Sequence, residues 1–354
     1  MERPSGTLGA ARLADVRIRV DAVLQDFIAD RRAVLADADP TAAELADELA
    51  RVVGAGGKRL RPLFCYWGFR GGGGIDAPAI VRAAASLELL HTFAIIHDDV
   101  MDRSPVRRGQ PATHVELARD GDAHAGISAA ILAGDLALVL SDELFSEAGF
   151  PTDRFLAGFR WYNRMRTEVV AGQYLDLVAS RGAPPGEAAV RRIARLKSGG
   201  DTVEKPLLIG ATLAGATPDT EATLSAFGVV LGEAFQLRDD VLGAFGDPAA
   251  TGKDVDGDLR EGKRTLLVTR AIASATSGDR EFFERHLGRA DLDPTDAERL
   301  RAIIRSTGAL DATTRTIDEL RAGAVARLEG AALPHGVAAA LAELAELAAA
   351  RVVG

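Results

Sequence analysis

Two groups of aspartates interrupt otherwise apolar stretches 141 residues apart: His97-Asp98-Asp99-Val100-Met101-Asp102 and Gln236-Leu237-Arg238-Asp239-Asp240-Val241-Leu242. Carboxylates are rarely buried without a partner, and adjacent ones repel. Two such groups on apolar helices imply a shared cation. Oxygen-only ligation, with positions left for water and phosphate oxygens, is the chemistry of Mg²⁺, so a diphosphate is the expected companion. Residues four apart on an α-helix share a face, and a neighbour is turned about 100° away. Asp98 and Asp102 can therefore serve one metal centre, with Asp99 to the side. Asp239 and Asp240, following Phe235 and Gln236, would complete a site in which metals bridge carboxylates and diphosphate and ease departure of the leaving group.

The cations fit the same chemistry. Of 42 basic residues only five are lysine: Lys58, Lys197, Lys205, Lys253 and Lys263. Where either cation would serve, this chain uses Arg, so the lysines are candidates for sites that need a compact ammonium, such as diphosphate contacts. Lys58 and Arg61 follow the glycine turn Gly54-Ala55-Gly56-Gly57, where backbone N–H groups can also meet phosphate oxygens. Arg107-Arg108-Gly109 lies just beyond the first acidic group. Lys253 and Lys263 lie beyond the second, around the acidic run Asp254-Val255-Asp256-Gly257-Asp258. Each of these alone resembles ordinary surface.

The elements that must position these residues read as helices. Ala, Leu, Arg and Glu dominate, only 5% of the 354 residues are aromatic, and no alternating strand pattern of any length occurs. Gly71 to Gly74 and polar stretches near 103–121, 149–152, 181–187, 215–220 and 246–263 separate helix-length apolar segments. One all-α domain over residues 1–354 is expected, with the first 20 residues open to disorder. A net charge of −9 argues against nucleic acid as a partner. The single cysteine, Cys65, leaves no internal disulfide and suits the cytoplasm. The most apolar stretch, Ala123 to Leu140, carries Asp135 and is expected to be a buried helix, not a membrane span.

The combination resembles the trans-isoprenyl diphosphate synthases, or polyprenyl synthetases, through motifs in a fixed order: Gly57-Lys58-x-x-Arg61-Pro62, Asp98-Asp99-x-x-Asp102, Arg107-Arg108-Gly109, Gly172-Gln173-x-x-Asp176, Lys197-Ser198, Phe235-Gln236-x-x-Asp239-Asp240 and Gly262-Lys263-x-Thr265. The resemblance implies an isoprenoid-synthase fold, a helical bundle around a central cavity, and a homodimer. It implies Mg²⁺-dependent condensation of isopentenyl diphosphate with an allylic diphosphate, with roughly three ions per active site. Asp98, Asp102 and Asp239 would be the ligands, supported by Asp99 and Asp240. Arg107, Lys197, Lys253 and Lys263 would contact the allylic diphosphate, and Lys58, Arg61, His91 and Arg108 isopentenyl diphosphate. Gln173 and Gln236 would line the chamber. Lys205 has no such assignment and is expected to be structural or at the rim.

Product length should depend on what blocks the space beneath the first acidic group. Ala94 lies one turn before Asp98 on nearly its face and is small; Phe93 lies on the flank. An aromatic five residues before the first aspartate resembles the geranylgeranyl-producing pattern, so a C20 product is expected, with C15 or longer products as alternatives. Two features depart from the family pattern: Gly243, where many relatives carry a third aspartate, and Gly199-Gly200-Asp201 after Lys197-Ser198, which suggests a kink and an acidic neighbour for Lys197. A class I terpene cyclase would want a second motif built on asparagine, and the only asparagine, Asn163, stands elsewhere. A non-catalytic synthase subunit would be expected to have lost carboxylates or the glycine-lysine turn, and both are intact.

Overall fold

Strong helix formers fill long stretches here without an internal proline, and the chain folds accordingly. A computed structural model describes residues 6–181, 185–246 and 256–349. Its helices are α1 Gly6–Ala38, α2 Ala43–Gly54, α3 Leu60–Gly71, α4 Pro78–Asp102, α5 Thr113–Glu116, α6 Ala123–Ser146, α7 Thr152–Arg181, α8 Glu187–Ala194, α9 Lys205–Ala214, α10 Pro218–Phe245, α11 Gly257–Glu261, α12 Leu266–Ser274, α13 Ser277–His286, α14 Pro294–Ser306, α15 Ala309–Ala326 and α16 Val337–Ala349. A π-helical segment, Arg195–Glu204, joins α8 to α9. The all-α expectation holds but for one hairpin of two-residue strands, β1 Val106–Arg107 and β2 Gln110–Pro111.

Contacts divide the chain into two compact units. The first combines the stretch through Arg160 with Pro206–Glu221 and Ala332–Leu344; the second combines Trp161–Lys205, Ala222–Ala331 and the residues from Ala345 on.

In the first unit α4 is the central support. Pro78 opens it, where a missing N–H costs nothing, and Arg103 closes it in the left-handed conformation at φ 55°. Ile80, Leu87, Leu89 and Ile96 are fully buried, which fixes the rotation of the last turn and with it Asp98, Asp99 and Asp102. Helix α6 begins at Asp122, whose carboxylate accepts from the backbone of His124 and Ala125 at 2.9 and 3.1 Å. It meets α4 through small residues, Ala130, Ala133, Gly134 and Ala137, with Ser141 Oγ donating to the Ser86 carbonyl at 2.8 Å.

The expectation that α6 is wholly buried needs correction. Its small residues pack inward, while Ile127, Ile131, Leu132 and Val139 are exposed, Val139 by 61%. High average hydropathy conceals this split, because alanine and glycine count as apolar on the packed face. Helices α4 and α6 are both long and apolar enough to cross a membrane by length and composition; α4 is mostly buried within the protein. Helix α1 also departs from expectation: from Gly6 the described residues are helical, and Leu13, Val16 and Val20 are buried. Cys65 is a free thiol buried in α3, and burial pushes its pKa up, so it is an inert core residue.

In the second unit, Ala234, Leu237 and Val241 of α10 pack with Val190, Leu266 and Ile317. Phe283, Leu300 and Ile304 anchor a neighbouring cluster. Burying that face of α10 sets the register of Gln236, Asp239 and Asp240.

Candidate active site

In the first unit the cationic residues converge because a glycine turn and a hairpin clasp each other. Gly56 and Gly57 hold positive φ, 85° and 148°, which lets the backbone turn sharply before α3. Arg108 and Gly109 are both left-handed, φ 53° and 73°, the geometry of a tight two-residue hairpin turn. Arg108 then donates to the Gly56 carbonyl, and a methyl on Gly57 would come 3.2 Å from Arg108 Nη2.

Between Lys58 and Arg61 stands Arg59, left-handed at φ 51° and 5% exposed. Its guanidinium donates to Asp21 at 2.8 Å, to buried Glu88 at 2.7 Å and to the Val53 carbonyl at 2.7 Å. This inward arginine ties α1, α3 and α4 together, and leaves Lys58 exposed and Arg61 half-buried at the start of α3.

His91, two turns before Asp98, sits in this cationic surrounding. Burial, and after it Arg61, Arg108, Arg107 and Arg59, hold its pKa well below the ordinary value, so the imidazole is neutral at pH 7. Burial is also the first cause lowering the pKa of Arg108; Arg59, Arg107 and Arg61 add to it against the opposing pull of Glu88. Cations gathered this closely around one buried imidazole are what an anion site requires.

The acidic end of α4 divides as the helix geometry expects. Asp99 is 3% exposed and bound by Arg107, with Nε donating at 2.9 Å; burial raises its pKa against Arg107. Asp98 and Asp102 remain half-buried on the last turn, and Arg107 Nη2 stands 3.9 Å from Asp98. Arg107 thus pairs with the acidic group itself. A narrow cleft is bordered by Arg51, Asp99, Arg107 and Arg108.

In the second unit two backbone contacts set the site. A methyl on Gly172 of α7 would fall 2.4 Å from the Lys197 nitrogen, and one on Gly232 of α10 would fall 2.2 Å from the Gly199 carbonyl. The π-helical segment is therefore pressed between α7 and α10 where both lack a side chain. The kink expected from Gly199-Gly200 is this π-helix, a form often found at functional sites. Lys197 Nζ meets Asp176 Oδ2 at 2.6 Å, three residues after the chamber candidate Gln173 on α7. Lys205, 4% exposed, meets Glu168 at 3.0 Å and Glu204 at 2.5 Å, a structural role.

On α10, Gln236 Nε2 donates to Asp240 Oδ1 at 2.7 Å. Burial, and after it Asp258, Asp239 and Asp176 against the Gln236 hydrogen bond, push the Asp240 carboxyl up to about 7. Asp176 closes the motif Gly172-Gln173-x-x-Asp176 but carried no assigned role, and Asp258 lies in an acidic run that no motif marked. Asp258 fills the space opened by Gly243, since a methyl there would land 1.7 Å from its Oδ2. A carboxylate from α11 thus stands where the departure at Gly243 left room. Lys263 Nζ lies 3.0 Å from Asp258 and 2.6 Å from Glu261. Lys253, with Asp254 and Val255, falls outside the described residues.

The donor set fits Mg²⁺ by its chemistry. Among the described residues no three His, Cys, Asp or Glu side chains close on one point. Each acidic group offers carboxylate oxygens and leaves the other coordination positions to water or phosphate, as Mg²⁺ demands. The Asp240 carboxyl is raised first by burial and then by Asp258, Asp239 and Asp176, and a cation beside it would favour the carboxylate.

The Polyprenyl synthetase family profile matches residues 42–304. The chain belongs to the polyprenyl synthetase family. It is 39% identical over 264 residues to the geranylfarnesyl diphosphate synthase of Aeropyrum pernix, covering 73% of this chain and 79% of that one. It is 33% identical over 253 residues to the geranylgeranyl diphosphate synthase of Saccharolobus solfataricus, covering 71% and 73%. Among solved structures, the geranylgeranyl pyrophosphate synthase from Corynebacterium glutamicum, complexed with isoprenyl diphosphate and magnesium, aligns with TM-score 0.90 and 33% identity over 94% of this chain and 97% of that one. A polyprenyl synthase from Caulobacter crescentus CB15, complexed with calcium and isoprenyl diphosphate, aligns with TM-score 0.83 and 31% identity over 99% and 100%. The family membership makes this polyprenyl synthetase a prenyltransferase with the isoprenoid-synthase fold.

Proposed function

We propose that this polyprenyl synthetase condenses isopentenyl diphosphate with an allylic prenyl diphosphate, head to tail, and that its main product is geranylgeranyl diphosphate. The observation that carries the proposal is the cationic ring around neutral His91. Lys58, Arg61 and Arg108 would hold the diphosphate of isopentenyl diphosphate there, and the uncharged imidazole of His91 would offer it a hydrogen bond without crowding one more positive charge among the arginines. Magnesium ions at Asp98, Asp102 and Asp239, roughly three per site, would neutralise the allylic diphosphate as it leaves. Asp99 holds Arg107 and Asp240 holds Gln236, so each supports the neighbouring ligands. Lys197 and Lys263 would add charge at the same leaving group; Lys253 would join them. Departure of diphosphate leaves an allylic cation, the double bond of isopentenyl diphosphate attacks it, and a proton is lost to the departed diphosphate. Aliphatic walls exclude the water that would quench the cation. Gln173 and Gln236 would line that chamber, and Phe93 beside small Ala94 would set its depth.

The proposal extends to assembly and location. The exposed stripe Ile127, Ile131, Leu132 and Val139 on α6 would be covered by a second copy of the chain, giving a homodimer in the cytoplasm. Asp135, 58% exposed on the side chain within that stripe, suits a partly polar protein interface and opposes insertion into hydrocarbon. Leu132→Glu should convert a dimer to a folded monomer by light scattering, and an unchanged mass would refute this interface.

The test of activity is a product assay. With Mg²⁺ and isopentenyl diphosphate, the purified chain is given dimethylallyl, geranyl or farnesyl diphosphate and the products are sized by mass. A prenyl diphosphate series ending at C20 is expected. An end at C15 or beyond C20 would keep the reaction and discard Phe93 as the ruler. Cyclic hydrocarbons, or no product, would overturn the proposed reaction.

A further inference from the structure

The ring of Phe93 does not stand alone. On α4, one turn later, the His97 imidazole meets it edge to face, with centroids 4.8 Å apart and planes at 68°. His97 Nε2 lies 3.1 Å from the backbone carbonyl of Ile131 on α6. A carbonyl only accepts, so Nε2 carries the proton. The imidazole fits against α6 because residue 134 is glycine: a methyl there would come 2.3 Å from Nε2 and 2.4 Å from Cδ2. The charged group near this contact is Asp135, whose Oδ1 lies 3.8 Å from His97 Nε2.

These contacts leave the imidazole little freedom. Its far side is fixed by a backbone atom that helix α6 holds in place, and a glycine supplies the space. Its near side is then a fixed wall for the Phe93 ring. A half-buried aromatic ring on a helix flank can otherwise turn about its side-chain torsions at small cost, and a ring that turns makes a poor stop for a growing chain.

We propose that His97 and Gly134 are specificity-determining residues that act by positioning Phe93, so that product length is set jointly by α4 and α6. This rests on Phe93 being the ruler. Removing the imidazole frees the ring, and prenyl chains grow past the normal stop. Adding a methyl at 134 displaces the imidazole and changes the product ratio, although no atom at 134 belongs to the ruler itself.

The test sizes products from geranyl diphosphate, isopentenyl diphosphate and Mg²⁺ for Phe93→Ala, His97→Ala, Gly134→Ala and the double variant Phe93→Ala/His97→Ala, with melting curves to confirm folding. His97→Ala should raise the ratio of longer to normal product by about two- to tenfold, the factor one aromatic contact is worth. Gly134→Ala should change the same ratio, and the double variant should give the Phe93→Ala distribution. If Phe93→Ala lengthens the product while His97→Ala and Gly134→Ala do not change it, the positioning role is refuted and the ruler stands. If Phe93→Ala has no effect, the ruler falls and the relay with it. Additive lengthening in the double variant would make His97 a barrier in its own right and overturn the proposal. Should Gly134→Ala not fold, His97→Ala and the double variant decide.

Discussion

Asp240→Asn should stabilise the metal-free protein, and by more at alkaline pH than at acid pH. In the fold the Asp240 carboxyl rises from 3.8 to about 7, mainly through burial. A carboxyl raised on folding binds more protons in the native state than in the unfolded chain. Stability therefore falls as pH climbs from about 4 to about 7, and the cost is complete above that window. The shift corresponds to at most about 4 kcal/mol. Asp240 keeps partial contact with water, so screening reduces this to about 2 kcal/mol at pH 8 and about 1 kcal/mol at pH 5. Asparagine is nearly isosteric, never ionises, and retains an oxygen for the Gln236 amide. In a chain of this size about 2 kcal/mol raises Tm by about 3 °C. Calorimetry with a chelator present should thus show Asp240→Asn melting about 3 °C higher at pH 8 and about half that at pH 5. An equal gain at both values, or a loss at pH 8, would refute the premise that this carboxylate is electrostatically strained without a cation.

Other perturbations test other parts of the molecule. Asp98→Ala should abolish condensation while leaving the melting temperature within a few degrees, about 1 kcal/mol of stability; near-normal turnover would remove Asp98 from the metal site. Arg59→Ala should cost about 3–5 kcal/mol by leaving buried Glu88 unpaired, and Arg59→Ala/Glu88→Gln should recover part of it in denaturant titrations; no recovery would mean the arginine acts by packing alone. Gly232→Ala should cost about 1–3 kcal/mol by overpacking against Gly199. It should lower kcat while leaving the KM for isopentenyl diphosphate unchanged, and an unaltered kcat would show that the π-helical segment tolerates displacement.

The sequence carried the chemistry further than the packing. Asp98 with Asp102, and Asp239 with Asp240, stand out in the sequence as candidate ligands because oxygen ligands must cluster, and helix periodicity then says which of them share a face. Asp99 turning aside follows from that geometry; its capture by Arg107 does not, because it depends on the hairpin. That hairpin left no alternating pattern, being two residues per strand, and only Arg108-Gly109 in left-handed conformation makes it. Arg59 beside Lys58 was equally opaque: two adjacent cations look alike until a left-handed residue turns one inward. Asp258 filling the space at Gly243 is a contact across 15 positions that no local motif encodes. The outward face of α6 escaped notice because hydropathy averages small packed residues with large exposed ones. The all-helical architecture was readable throughout, since propensity and spacing agree over nearly every segment.

The interleaving of the two units constrains the order in which the protein can be made. Neither unit is continuous in sequence: the first waits for Pro206–Glu221 and Ala332–Leu344, and the second for residues from Ala345 on. During synthesis α4 and α6 can pair early, but neither unit has all its parts until the ribosome has passed Leu344. The long apolar face of α6 is exposed during that interval, when unpaired hydrophobic surface favours aggregation. A nonsense mutation removing only the last helix would deprive both units at once, so truncated products should be cleared by proteolysis and not persist as half-folded enzyme.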